Sequence, residues 1–104
     1  MKIVRVTYTA KAEYTAHNQE NIKTVMNDLR QINNPGINYN SCLGADGKSF
    51  THTAFFKSED DEKVLFALPS FKKFQEELKA GGLETPPKQE LLTLVGSSVE
   101  IFRD

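Results

Sequence analysis

The stretch Ser49-Phe50-Thr51-His52-Thr53-Ala54-Phe55-Phe56 alternates in polarity and carries a histidine at its centre. Histidine is the side chain best matched to proton transfer near neutral pH. His52 is therefore the candidate catalytic residue, as a general base or a hydrogen-bond donor. Tyr8 and Tyr39 could orient a phenolic or quinone-like ligand beside it, with Ser41 close by. Apolar pockets with a few convergent polar groups are the usual form of ligand sites. The competing reading is structural: a half-buried histidine bonded to Ser41 or a tyrosine hydroxyl, satisfying itself in the core. Phe50, Phe56, Phe66, Phe71 and Phe74 divide the same way, between an aromatic pocket and plain core, with core the commoner outcome. The ligand-binding candidates are Tyr8, Tyr39, Ser41, Phe50, Phe56 and Phe74.

Other reactive residue types carry less. Cys42 has no adjacent cation to lower its pKa and reads as a small surface side chain. A single cysteine excludes an internal disulfide and a cysteine-built metal site. His17 falls off the apolar stripe of its helix and reads as solvated, and it forms no metal pair with His52. The acidic run Ser58-Glu59-Asp60-Asp61-Glu62 is better explained by helix capping and the helix dipole than by a cation. No metal and no cofactor are expected.

Six elements must position these residues. Ile3 to Ala10 alternates as a half-buried strand, with Val4, Val6 and Tyr8 on one face. From about Thr15 to Ile32 the period changes: Ile22, Val25, Met26, Leu29 and Ile32 form one helical stripe. Asn33-Asn34-Pro35-Gly36 stops that helix, since proline cannot continue it and glycine accepts the turn. Ile37 to Leu43 is a second strand. Asp46-Gly47 then predicts a two-residue type I′ hairpin turn. That turn sets Leu43 opposite Phe50, Ser41 opposite His52, Tyr39 opposite Ala54 and Ile37 opposite Phe56. Asn38, Asn40, Cys42, Thr51, Thr53 and Phe55 fall on the other face. A short helical segment is expected around Glu62 to Phe66. A helix from about Ser70 to Ala80 follows, with Phe71, Phe74 and Leu78 buried. Gly81-Gly82 ends it. Pro86-Pro87 reads as a connecting loop and Leu91 to Phe102 as a long last strand with a bend at Gly96.

The order β-α-β-β-α-β predicts an α+β, ferredoxin-like antiparallel sheet with both helices on one face. The other face then leaves Ile3, Phe55 and part of the last strand in need of cover. Face-to-face pairing with a second sheet would supply it, so a homodimer is expected. At 104 residues the chain is one small domain. Hydrophobic residues at 38% and charged residues at 26% fit a globular protein rather than a disordered one. The net charge of −1 gives no electrostatic case for nucleic acid or an anionic membrane. An RNA-recognition module shares the element order. Here only Phe55 lies on the face where bases would stack, which argues against it. The opening MKIVRVTYTA lacks the apolar run of a signal peptide, and no later stretch is long enough to span a bilayer. The default expectation is a cytoplasmic protein.

With IVRVTYTAK at the start, DLRQINNPGINY, LGADGKSFTHTAFF, LPSFKKFQEEL and LLTLVGSS, the chain resembles the dimeric α/β barrel superfamily. Within it, the chain looks similar to the antibiotic-biosynthesis-monooxygenase-like group of small proteins. The resemblance covers nearly the whole chain. It implies a dimer whose sheets form a barrel with helices outside, and a ligand held between sheet and helices. Such proteins include cofactor-independent oxygenases of aromatic polyketides, cyclases and haem-degrading enzymes. The chain has no tryptophan, so a mechanism that uses one does not carry over. Haem chemistry is not expected either: the first strand offers Arg5, Thr7 and Tyr8 rather than the asparagine of haem-degrading relatives, and the second helical region has no histidine. Two functions stand. One is a small-molecule protein, in its enzymatic form a monooxygenase with His52 as base. The other is a non-catalytic binding or assembly protein with a vestigial pocket.

Overall fold

The computed structural model describes residues 1–103. The elements run β1 (Lys2–Ala10), α1 (Thr15–Ile32), β2 (Ile37–Leu43), β3 (Ser49–Phe56), α2 (Glu59–Ala67), α3 (Pro69–Glu77) and β4 (Leu83–Leu92). All neighbouring strands are antiparallel, in the order β2-β3-β1-β4. This is the ferredoxin-like sheet. The core fills the space between the sheet and the helices. Tyr8 and Ala10 of β1, Phe50, Ala54 and Phe56 of β3, Ile22 and Val25 of α1, and Phe71 and Phe74 of α3 meet there.

The helix ends follow local chemistry. Asn33 closes α1 in the left-handed conformation (φ 54°), its N–H bonded to the Leu29 carbonyl. The turn expected of Gly36 is therefore made by Asn33, a residue that tolerates that region. Ser58 and Asp61 form a reciprocal capping box at the start of α2, which accounts for the acidic run. That box starts α2 at Glu59, ahead of the expected segment. Pro69 takes the first turn of α3, where its missing N–H costs nothing. The α-helix ends at Glu77, and a wider turn over Leu78–Gly82 replaces its expected last residues.

The hairpin register is as expected, with Ser41 opposite His52 and Leu43 opposite Phe50. The turn is not. Gly44 N–H bonds to Ser49 O, and Gly47 N–H to Gly44 O. Among the described non-glycine residues only Asn33 has positive φ, so Asp46 does not make a type I′ turn. Four residues, 45–48, bridge the strands instead. The Asp46 carboxylate accepts the N–H groups of Lys48 and Ser49, and Gly47 supplies the left-handed position (φ 77°). Two-residue and four-residue loops on the same centre give the same pairing, which is why the register holds.

The last strand corrects the sequence expectation. It is Leu83–Leu92, with Pro86 and Pro87 inside it, not Leu91 to Phe102. Two facts accommodate the prolines. β4 is an edge strand, paired only to β1. Its register also slips where they sit: Thr9 faces Thr85 and Thr7 faces Lys88, so β4 carries an extra residue there.

Residues 93–103 form no strand or helix. They leave β4 beside Ile3 and return to β2, where the Asn38 amide donates to the Ile101 carbonyl at 3.0 Å. The tail thus runs past Met1 and Lys57, at one end of the sheet, to reach the β2 edge. Ile3, on the face away from the helices, is buried, while Phe55 is half-buried. The rest of the face is polar, with Thr7, Thr51 and Thr53 beside an Arg5–Glu90 ion pair of 2.8 Å.

Candidate functional site

His52 occupies the centre of β3, next to β1 and opposite Ser41 on β2. Strand alternation turns it toward the helices. It is 4% exposed. Tyrosines occupy both ring nitrogens: Tyr8 Oη lies 2.8 Å from Nε2 and Tyr39 Oη 2.7 Å from Nδ1. None remains for Ser41. The Tyr8 ring stacks on the imidazole, and Phe74 of α3 closes its other surroundings at a centroid distance of 5.4 Å.

The chain of contacts has a fourth member that the sequence reading missed. Asn18, on α1, donates from Nδ2 to Tyr8 Oη at 2.8 Å, and its Oδ1 is buried without a partner. Asn18 is 0% exposed. The signal that could have found it is spacing. Asn18 lies four residues before Ile22 and seven before Val25, on the buried stripe of α1.

Burial sets the protonation of these groups. It lowers the His52 pKa to about 4, so the ring is neutral at pH 7. Burial also raises both phenols: Tyr8 rises well above the usual tyrosine range despite the opposing Asn18 bond, and Tyr39 rises further, the Tyr8 hydroxyl adding to the effect. The relay Asn18–Tyr8–His52–Tyr39 is therefore a neutral line of donors and acceptors.

A groove of about 910 Å³ opens between α1 and the β2 edge. Tyr39, Ser41, Phe50, Ile22 and Met26 form part of its wall. The tail closes one side with Glu100, Ile101 and Arg103. His52 does not line it; Tyr39 stands between. Of the six ligand-binding candidates, Tyr39, Ser41 and Phe50 reach the groove. Tyr8 and Phe74 sit behind, against the imidazole. Phe56 is four residues along β3, roughly 13 Å away, and is core. Phe66 is about half exposed on α2 and forms no pocket wall there. His17 lies outside this site. It is half exposed, and its Nε2 is 2.7 Å from Glu77 Oε1. Cys42 is exposed, and it too lines the groove. Among the described residues no cluster of metal-ligating side chains occurs, and no helix is long and apolar enough to cross a membrane.

No protein-family model and no curated protein matches the sequence. Solved structures do match the fold. An antibiotic biosynthesis monooxygenase crystal structure superposes with a TM-score of 0.76 at 14% identity, covering 92% of this chain and 100% of that one. The chain has the antibiotic biosynthesis monooxygenase fold. Rv0793 from Mycobacterium tuberculosis shares the fold with a TM-score of 0.76 at 12% identity, over 94% of this chain and 98% of its own. So does SnoaB, a cofactor-independent oxygenase from Streptomyces nogalater, with a TM-score of 0.67 at 17% identity, over 95% and 98%.

Proposed function

We propose that this protein binds a flat aromatic molecule carrying a carbonyl or phenolic oxygen in the α1–β2 groove, and oxidises it with dioxygen without a cofactor. One observation carries the reading. Tyr39 is at once a wall of the groove and bonded at 2.7 Å to the buried His52. A phenol held in this way stabilises negative charge developing on a ligand oxygen. Loss of a carbon-bound proton to water in the groove gives an electron-rich aromatic anion, which reacts directly with dioxygen. One oxygen atom enters the substrate as a new carbonyl, and the other leaves as water with the two hydrogens of the oxidised carbon. His52 acts here through Tyr39. With a pKa near 4 and no surface on the groove, it is a poorer direct base than its residue type suggests.

The oxygenase named among the structural matches supports the same reading. Oxygen uptake by the protein with an anthrone tests it. The wild type should exceed the buffer rate, and Tyr39→Phe should fall to that rate while still binding the molecule. No acceleration by the wild type would remove the oxygenase reading.

A second reading has its own support. Both His52 nitrogens are already partnered, the arrangement of a self-satisfied core histidine. The protein would then bind its ligand without turning it over, and Tyr39→Phe would weaken binding alone. Either reading suits a homodimer joined by the open sheet face, where Phe55 is half-buried. Sedimentation at micromolar concentration should give a dimer. A cytoplasmic setting suits the exposed Cys42 thiol.

A further inference from the structure

Counting protons along the relay yields a direction. Asn18 Nδ2 donates to Tyr8 Oη. Tyr8 and Tyr39 each carry one hydroxyl proton, and neutral His52 carries one ring proton. The two tyrosine–histidine contacts consume two of these three. One hydroxyl proton is left over, and its position depends on the tautomer of His52. With the proton on Nε2, that nitrogen donates to Tyr8 Oη, which already accepts from Asn18, so the Tyr8 proton is orphaned. With the proton on Nδ1, Tyr8 donates to Nε2 and the spare proton belongs to Tyr39. Tyr8 is 5% exposed, whereas Tyr39 is half-buried and lines the groove. In the core, Tyr8 Oη has only Asn18 and His52 as neighbours, whereas the groove that Tyr39 lines can supply an acceptor, so the spare proton is cheapest on Tyr39.

The amide itself favours the same direction. Turned as it is, Asn18 leaves its buried Oδ1 without a partner. The reverse orientation would orphan the buried amide N–H groups, the rarer and costlier defect.

We propose that Asn18 is a positioning residue: its N–H on Tyr8 commits the Tyr8 proton to His52 Nε2, holds His52 as the Nδ1–H tautomer, and makes Tyr39 a hydrogen-bond donor to the groove. The ligand group that meets Tyr39 is then an acceptor oxygen, a carbonyl or an oxyanion, and not a hydroxyl that must donate. The ligand half of this inference rests on the function proposed above. The tautomer half does not, and it is read without any ligand.

The test is a long-range ¹⁵N–¹H correlation spectrum of the labelled protein near pH 7, which identifies the protonated ring nitrogen of His52. The wild type should show the Nδ1–H tautomer. Asn18→Asp, read above the pH at which its buried carboxyl ionises, replaces the donor with a carboxylate that only accepts. It should take the Tyr8 proton and reverse the relay, giving the Nε2–H tautomer. A wild-type Nε2–H spectrum overturns the proposal, and so does an unchanged tautomer in Asn18→Asp. Should that variant not fold, the wild-type spectrum decides by itself. Absence of oxygen uptake would leave this spectrum unchanged, so the two ideas fail separately.

Discussion

The two histidines meet opposite surroundings. His52 is sealed in the core between two phenols, with no carboxylate among its hydrogen-bond partners. His17 is half exposed on α1 beside Glu77, with Asn21 sharing the same carboxylate oxygen. Bonds from Asn21 and then His17 hold the Glu77 carboxyl below its ordinary pKa. At the surface, solvent screens such a pair and little stability depends on it. In the core, each polar atom must find a partner, and the partners define a direction. What makes a histidine a functional candidate here is the line of groups that leads from it to a groove.

The comparison is most exposed to failure in stability. His52→Ala removes a buried ring and strands two phenols, and should cost on the order of 3–5 kcal/mol. His17→Ala should leave the denaturant midpoint unchanged within error. Urea unfolding of both variants reads the contrast, and equal effects would break it.

The pH dependence of stability comes next. Above about pH 6.5 the imidazole is neutral in both the folded and the unfolded chain and adds no slope. Below that, the unfolded chain takes up the proton first, because the folded pKa is near 4. Stability should fall by roughly 3 kcal/mol as pH drops from 6.5 through 4. His52→Phe keeps the core filled and should remove that contribution, while His17→Phe should retain it. Urea titrations across this range distinguish them.

The smallest effect lies in the hairpin. Gly47→Ala forces a side chain onto φ 77° and should cost about 1 kcal/mol without moving the register that places His52. A changed His52 tyrosine environment in that variant would mean that the turn, and not strand alternation, orients the ring.

The relay was partly legible in the sequence. Alternation in β3 and a turn centred on Asp46-Gly47 suffice to put His52 on the face with Tyr8 and Tyr39. Asn18 was not seen, because the apolar pattern of α1 draws attention to Ile22 and beyond, while an asparagine on the same stripe reads as a break. β4 was misplaced for a physical reason. Its residues are mostly exposed, and the two prolines hide a strand that an edge and a bulge allow. The apolar Leu91-Leu92-Thr93-Leu94-Val95 run looks more strand-like, yet it is where the chain leaves the sheet; Leu91 and Val95 are exposed. The second helical region begins a few residues earlier than expected because the Ser58 cap decides its start, whereas α1 keeps its expected bounds up to the Asn33 cap.

In the proposed function the groove communicates with His52 through Tyr39. Titrating ¹⁵N-labelled protein with an anthraquinone tests it most directly, because His52 does not line the groove. The His52 ring nitrogens should shift on binding in the wild type and should not shift in Tyr39→Phe, which still binds. Binding that leaves the His52 resonances untouched in the wild type would contradict it.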